Sequence, residues 1–515
     1  MSDSVQIALM PLGKCLAVAP GTRLQDILHR YGVEFPCGGK GRCRGCRVKL
    51  LQGDLHLDPD ERGILSEQEI AEGWRLACRS RAIVDAIIEV AQWEAEILVE
   101  HGALSTSGRQ GRGVAVDLGT TSMVAQLLDF SSGEVLGVRT ARNPQSPYGA
   151  DLITRLAFAD TPEGRAKLVA LLRDGVGEMI ASLLASEEAA GSGIEAVAIA
   201  GNSVMHHFIG GLDTACLARA PFDPLDGRGR SFAAAELGWA MDGDPNVHVL
   251  PCLGGLVGGD ILAGILATGM HESSELVGLI DLGTNGEIAF GNRDQILCAS
   301  TAAGPAFEGG KIEMGMQAIT GAICSVSAVE QGGENGGAEG QLHCHVLGDG
   351  EARGICGSGL VDAVAAALDV GWIASSGRIL REERVIPLTS PVTLTQLDVR
   401  ELQLAKAAIW AGAEVLLSEL GAMRSDVRTL YLAGAFGNYV STESARRIGL
   451  IRFSEEQVEA AGNTSLLGAK LALLGGELEG EAYASLIEQV RHVSLATDAR
   501  FQKLFIDETS FAEAE

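Results

Sequence analysis

The tetrapeptide Asp-Leu-Gly-Thr occurs twice, in VAVDLGTTS at 114–122 and in LIDLGTNGE at 279–287, with Asp117 and Asp281 164 positions apart. Each copy ends an apolar run that reads as a buried strand, and each is followed by a second apolar run, so both segments predict strand, turn and strand. A repeat of this length in one chain predicts an internal duplication. The turn residues also suit one chemistry. Backbone N–H groups and threonine hydroxyls can meet phosphate, while the aspartate at the strand end can hold magnesium or position water. One such turn is also an ordinary hairpin, but two can approach one nucleotide from both sides of a cleft.

A third glycine turn follows the apolar stretch in TLYLAGAFGN, 429–438, where Gly434 and Gly437 permit close backbone approach to an adenine or ribose. The alternative phosphate loop, GxxxxGK followed by Ser or Thr, is absent from the sequence. Together the three turns resemble the phosphate-1, phosphate-2 and adenosine motifs of the acetate and sugar kinase, heat-shock and actin superfamily, from residue 113 almost to the end. That resemblance implies ATP and Mg2+, Asp117 and Asp281 as catalytic residues, and nucleotide contacts from Gly119, Thr120, Thr121, Gly283, Thr284, Asn285, Gly434 and Gly437.

In front of this lies FPCGGKGRCRGCRVKL, residues 35–50. Five residues separate Cys37 from Cys43, two separate Cys43 from Cys46, and Cys78 follows 32 positions after Cys46. A tight thiolate loop plus one distant cysteine suits a cluster whose two irons each need two sulfur ligands. Glycines 38, 39, 41 and 45 let the backbone wrap the sulfurs, and Lys40, Arg42, Arg44, Arg47 and Lys49 form a basic collar that tunes the cluster or docks an acidic partner. Structural zinc is the competing ligand, although it usually takes two CxxC pairs and only one is present. Residues 1–92 resemble a 2Fe-2S ferredoxin domain of β-grasp, α+β type, with a loop spacing like that of the vertebrate-type proteins. Cys15 falls outside the pattern and reads as a packed strand residue.

The remaining organisation follows from texture. STSGRQGRG closes a patternless stretch that makes 93–112 a linker. The first half of the duplicated α/β fold then covers 113–274 and the second 275–515, with long helices near 163–185, 359–370 and 402–420 and a glycine-rich excursion at 331–341. The formal charge of -27 argues against nucleic acid or an anionic membrane as partner. No signal peptide or membrane span is indicated, and an odd count of eleven scattered cysteines fits a reducing cytoplasm.

Three features carry less. In GICGSGLVDAVAAALDVG, 354–371, the glycines either present a helix start to an anion or only allow sharp entry to a packed helix. In AGNSVMHHF, 200–208, a strand reading turns His206 and His207 to opposite faces, which makes them a poor chelating pair. Cys216, Cys252, Cys298, Cys324, Cys344 and Cys356 share no spacing and read as isolated thiols.

An iron–sulfur carrier fused to an ATPase fold has a thermodynamic rationale only for uphill transfer. From a cluster near -400 mV, an acceptor about 200 mV lower costs about 5 kcal/mol per electron, which ATP can offset. The set comprising the ferredoxin loop, VAVDLGTTS, AGNSVMHHF, LIDLGTNGE, AGPAFEGGKIEMGM at 303–316, GICGSGL and LAGAFGN resembles the reductive activators of corrinoid proteins. The resemblance implies ATP-dependent return of cob(II)alamin to cob(I)alamin on a corrinoid protein or corrinoid-dependent methyltransferase, an external low-potential electron donor and a homodimer. An activator of another low-potential metalloenzyme, a small-molecule kinase with an accessory ferredoxin domain, and a zinc-stabilised binding module are the other readings.

Overall fold

A computed structural model of the chain describes residues 4–10, 14–28, 33, 46–65, 67–90, 109–145, 148–149, 151–185, 193–219, 222–224, 226–283, 285–309, 311–316, 318, 321–329, 341–348, 350–437, 439–475 and 481–512. The excursion expected at 331–341 and the linker up to residue 108 lie outside these, apart from Gln341.

The N-terminal unit is a five-stranded mixed sheet in the spatial order Lys14–Val18, Val5–Met10, Ala86–Val90, Arg47–Gln52, Trp74–Leu76. Its first and last strands lie side by side and parallel, as expected for a β-grasp module. Val5, Ile7 and Leu9 alternate inward and join Leu24, Leu28, Val48, Leu76 and Ile88 in one core. Cys15, expected to be packed, is instead exposed, because its strand is the sheet edge and its side chain leans outward onto Gln6.

The two DLGT segments open two sheets of the same design. In the first, Arg112–Leu118, Ser122–Asp129 and Val135–Arg142 form an antiparallel meander, and Ala196–Gly201 and then Asn246–Val249 add parallel strands on the other side. In the second, Leu276–Leu282, Gly286–Gly291 and Ile296–Thr301 form the meander, with Val427–Ala433 and Val458–Gly462 added in parallel. Each sheet carries one further edge strand, Arg230–Ala233 or Val490–His492. RGVAVDL and LVGLIDL even share one burial pattern, a fully buried run broken only at the aspartate. The expected duplication is therefore present in five strands of each sheet, while the sixth lies at opposite edges of the two.

Helices flank both sheets. Thr161 caps Pro162–Leu184, with proline in its first turn, and Thr395 and Asp398 form a capping box at the start of Gln396–Leu420. The junction between the halves is a helix crossing. Helix Gly259–Thr268 belongs to the first half by sequence, yet Ile261, Leu262 and Ile265 pack with Leu279, Ala289 and Cys298 of the second sheet. Helix Thr464–Gly475 does the reverse: Leu466, Ala469 and Leu473 pack with Ala115, Ala198 and Ala200 of the first sheet. Where the helices meet, a Cβ on Gly468 would stand 2.0 Å from the Ala263 carbonyl oxygen.

Only glycine fits there, so Gly468→Val is expected to destabilise the chain by about 1–3 kcal/mol or more through overpacking. Thermal unfolding of the ATPase part should shift down while the absorption of the N-terminal domain is unchanged; an unaltered melting temperature would contradict the crossing as described.

Candidate functional site

Two constellations stand out. In the N-terminal unit, Cys46 immediately precedes strand Arg47–Gln52, and Cys78 lies just beyond strand Trp74–Leu76. Those strands pair antiparallel with Arg47 opposite Leu76, and the Ala77 N–H donates to the Cys46 carbonyl, so the ladder itself brings the two cysteines together. Their sulfurs lie 3.4 Å apart, both buried and neither in a disulfide, a spacing suited to two donors on one metal. Glu61, fully buried, locks the edge strand by accepting from the Leu76 and Asp58 N–H groups. Cys37 and Cys43 lie outside the described residues, as do Lys40, Arg42 and Arg44. Of the basic collar, Arg47 pairs with Glu69, and both Arg47 and Lys49 sit over the Trp74 ring.

The second constellation lies where the two halves meet. Asp117 ends one central strand and Asp281 occupies the matching place in the other. The Asp117 carboxylate is held by residues from the opposite half: Asn463 Nδ2 donates to one oxygen at 2.8 Å, and Ser465 Oγ donates to the other at 2.9 Å. Thr120 is buried, and its hydroxyl accepts from Asn202 Nδ2 at 3.2 Å. Asn143 fastens the same turn, its side-chain amide donating to the Gly119 carbonyl and its own N–H to the Thr121 carbonyl. In the second turn the Gly283 N–H donates to the Asn285 carbonyl, while Thr284 lies outside the described residues.

Gly434 opens a single helical turn, Gly434–Gly437, directly after strand Val427–Ala433. Its φ is +84°, and a Cβ there would stand 2.6 Å from an Asp281 carboxylate oxygen. The third glycine turn thus meets the second aspartate. Gly437 is also tight, with Leu432 backbone 3.1 Å from where its Cβ would be.

Two acids missing from the sequence reading complete the cleft. Asp260, in the first turn of helix Gly259–Thr268, accepts from the Gly258 and Ile261 N–H groups. Glu287 lies directly across the ladder from Asp281 and accepts from Ser300. In the first half the same register places Val124 opposite Asp117, so Glu287 has no counterpart there. Burial and mutual repulsion hold these groups toward the neutral form. Burial pushes Asp281 up to about 7, with Asp260, Asp117 and Glu308 adding to it. Asp260 is pushed up to about 7, first by burial and then by Asp117. Glu287 is raised by burial and by Asp260 and Asp281, and Asp117 by burial, against the pull of Asn463 and Ser465. These acids feel one another's charge in the cleft, and carboxylate oxygens are the donors a hard divalent cation takes.

Among the less specific features, helix Gly357–Asp369 is entered by packing. A Cβ on Gly357 would stand 1.9 Å from the Phe307 carbonyl oxygen, against the stacked Phe307 and Phe436 rings. The strand reading of His206 and His207 is corrected: they lie in helix Ser203–Gly210, which Asn202 starts by accepting from the Val204 and Met205 N–H groups. Nor are the remaining cysteines all isolated, since Cys324 and Cys356 share one small cluster.

Comparison with known proteins bears on this arrangement. Residues 8–82 match the 2Fe-2S iron-sulfur cluster binding domain, 112–273 the RACo middle region, and 275–515 the C-terminal domain of RACo, the ASKHA domain. The corrinoid activation enzyme RamQ of Eubacterium limosum is 34% identical over 429 residues, covering 78% of this chain and 70% of that one. This chain belongs to the RACo family. A further relative, the Co(II) methylated amine-specific corrinoid protein reductase of Methanosarcina barkeri, is 30% identical over 78% of this chain and 77% of its own length. A solved reductive activator for corrinoid, iron-sulfur protein superposes with a TM-score of 0.69 at 26% identity, covering 98% of each chain. The RACo assignment fixes the fold class as a ferredoxin module followed by a duplicated actin-like ATPase, with a 2Fe-2S cluster and ATP as cofactors.

The raised carboxylates carry a pH signature. Asp260 and Asp281 bind protons more tightly folded than unfolded, so between about 4 and 7 the folded chain without cation loses stability as pH rises. A divalent cation held by these carboxylates would compete with those protons. The melting-temperature gain from Mg2+ with ATP is therefore expected to be larger at pH 8 than at pH 6; an equal or smaller gain at pH 8 would contradict the site.

Proposed function

We propose that this chain uses ATP, bound between its two halves, to drive one electron from its 2Fe-2S domain onto a corrinoid protein or corrinoid-dependent methyltransferase, reducing cob(II)alamin to cob(I)alamin. The observation that carries this reading is the union in one chain of the cluster-binding domain with both RACo regions, matched by relatives named as corrinoid activators.

Cys37, Cys43, Cys46 and Cys78 would hold the cluster, which supplies a one-electron carrier. The convergence of Cys46 and Cys78 supports this assignment. Asp117 and Asp281 would orient magnesium and the attacking water, with Asp260 and Glu287 completing the acidic wall. Gly119, Thr120, Thr121, Gly283, Thr284 and Asn285 would receive the phosphates from two sides. Gly434 and Gly437 would leave room for the adenosine, consistent with the contact between Gly434 and Asp281. Because Asp117 is gripped from the opposite half, any change in its coordination on ATP binding or hydrolysis pulls on both sheets. That grip gives the nucleotide a lever on the chain's shape.

The same reading includes a homodimer, an external low-potential donor that returns the electron, a cytoplasmic setting, and neither nucleic acid nor membrane as partner. Support comes from the family, the acidic charge and the free thiols. Among the described residues no helix is long and apolar enough to cross a membrane.

The test is anaerobic: protein with its cluster intact, a low-potential reductant and a cob(II) corrinoid protein from the same organism, followed by absorbance of cob(I). ATP should be required, and Asp281→Asn should lower the ATP-dependent rate by about a hundredfold or more while leaving the cluster spectrum intact. Cob(I) formed equally fast without ATP would overturn the reading.

A further inference from the structure

We propose that His206, His207 and Cys252 form a metal site for a thiophilic divalent ion of the zinc class, beside the nucleotide cleft and separate from its carboxylates. One donor atom from each of the three residues lies within 4.8 Å of the other two, and all three side chains are buried. His206 and His207 are 1% and 0% exposed, and Cys252 is 8% exposed.

The hydrogen bonds fix which ring nitrogens are free. His207 Nδ1 lies 2.7 Å from the Ser203 carbonyl oxygen, and His206 Nε2 lies 3.1 Å from the Arg228 carbonyl oxygen. A carbonyl only accepts, so those two nitrogens carry the protons. The bare lone pairs therefore sit on His207 Nε2 and His206 Nδ1. Both atoms are buried, and neither has a hydrogen-bond partner. Two orphaned buried acceptors would each cost free energy, and in a native fold such atoms require an explanation.

A bound metal explains both at once. Metal-ligating histidines commonly donate the other ring N–H to a backbone carbonyl, which fixes tautomer and ring orientation, and both rings here are held in that way. Two imidazoles and a thiolate make a borderline-soft set that suits a d10 ion without geometric preference, leaving a fourth position for water. As the metal–sulfur bond forms, the Cys252 thiol gives up its proton to solvent. With metal–ligand distances of about 2.0–2.3 Å, a bound ion would draw together donors that already lie within 4.8 Å of one another.

The location gives the site a purpose. The helix that carries both histidines begins at Asn202, whose side chain holds the Thr120 hydroxyl, and the Ser203 hydroxyl donates to the Val257 carbonyl. Cys252 lies on the segment that leads to Asp260. A metal joining the three would fix the distance between Thr120 and Asp260. A single water donating to both free nitrogens is the other group that fits, and it is distinguishable.

The experiment uses the full chain with its cluster intact, so that the cluster cysteines are occupied. Zinc binding is measured by competition with a chromophoric chelator, and Co2+ is added separately as a spectroscopic probe. We expect about one zinc per chain beyond the cluster iron, and affinity at least about tenfold lower in His207→Ala and in Cys252→Ser. Co2+ should give a thiolate charge-transfer band and tetrahedral ligand-field bands that Cys252→Ser lacks while keeping its iron–sulfur spectrum. If the variants do not fold, the Co2+ spectrum of the unaltered protein decides alone. Absence of a thiolate band, or zinc affinity unchanged in the folded variants, would overturn the site and favour the water. Either outcome is independent of corrinoid reduction.

Discussion

The carboxylate of Asp117 is the joint on which the ATPase part turns. It sits at the end of a strand in the first half, but its hydrogen-bond donors, Asn463 and Ser465, come from the second. They can reach it because helix Thr464–Gly475 lies on the first sheet and helix Gly259–Thr268 on the second, each half lending the other a helix. The crossing at Gly468 and Ala263 allows the two backbones to approach where no side chain fits. Remove that closeness and Asp117 loses the donors that tie it to the opposite half.

The electrostatics follow from this geometry. Burial, with like-charge repulsion added to it, raises the proton affinity of Asp260, Asp281 and Glu287, the last paired across the ladder from Asp281. Their raised proton affinity is the cost of burying acids close enough to feel one another. Under the proposed function, magnesium with a nucleotide would convert that repulsion into attraction, and both halves would feel the gain because both contribute acids. The ferredoxin module works on the same principle at smaller scale. A strand ladder, locked by buried Glu61, holds Cys46 and Cys78 together.

Local features of this design were legible in the sequence, and long-range ones were not. The DLGT turns and the glycine turn at 434 could be read because an apolar run followed by Asp, Gly and Thr is a local signal. The cysteine spacing pointed to the iron–sulfur domain that residues 8–82 match. Asp260 was hidden in a glycine run, GGLVGGD, that shows no strand or helix period before it. Glu287 becomes a cleft residue only through strand register, and the equivalent place in the first half is Val124. Asn463 and Ser465 act across more than three hundred residues, a distance no local pattern spans. His206 and His207 were misread because Asn202 went unrecognised as a helix cap. The signal was there, in Asn followed by apolar pairs at helical spacing, Val204 with Phe208 and Met205 with Ile209.

A double-mutant cycle between Asp117 and Ser465, read out as the affinity for ATP with Mg2+, tests the central claim most directly. If Asp117 is the joint between the halves, Asp117→Asn and Ser465→Ala should couple by about 1 kcal/mol or more. Additivity of the two effects within about 0.5 kcal/mol would show that the grip across the halves does not serve the nucleotide, and would contradict the account.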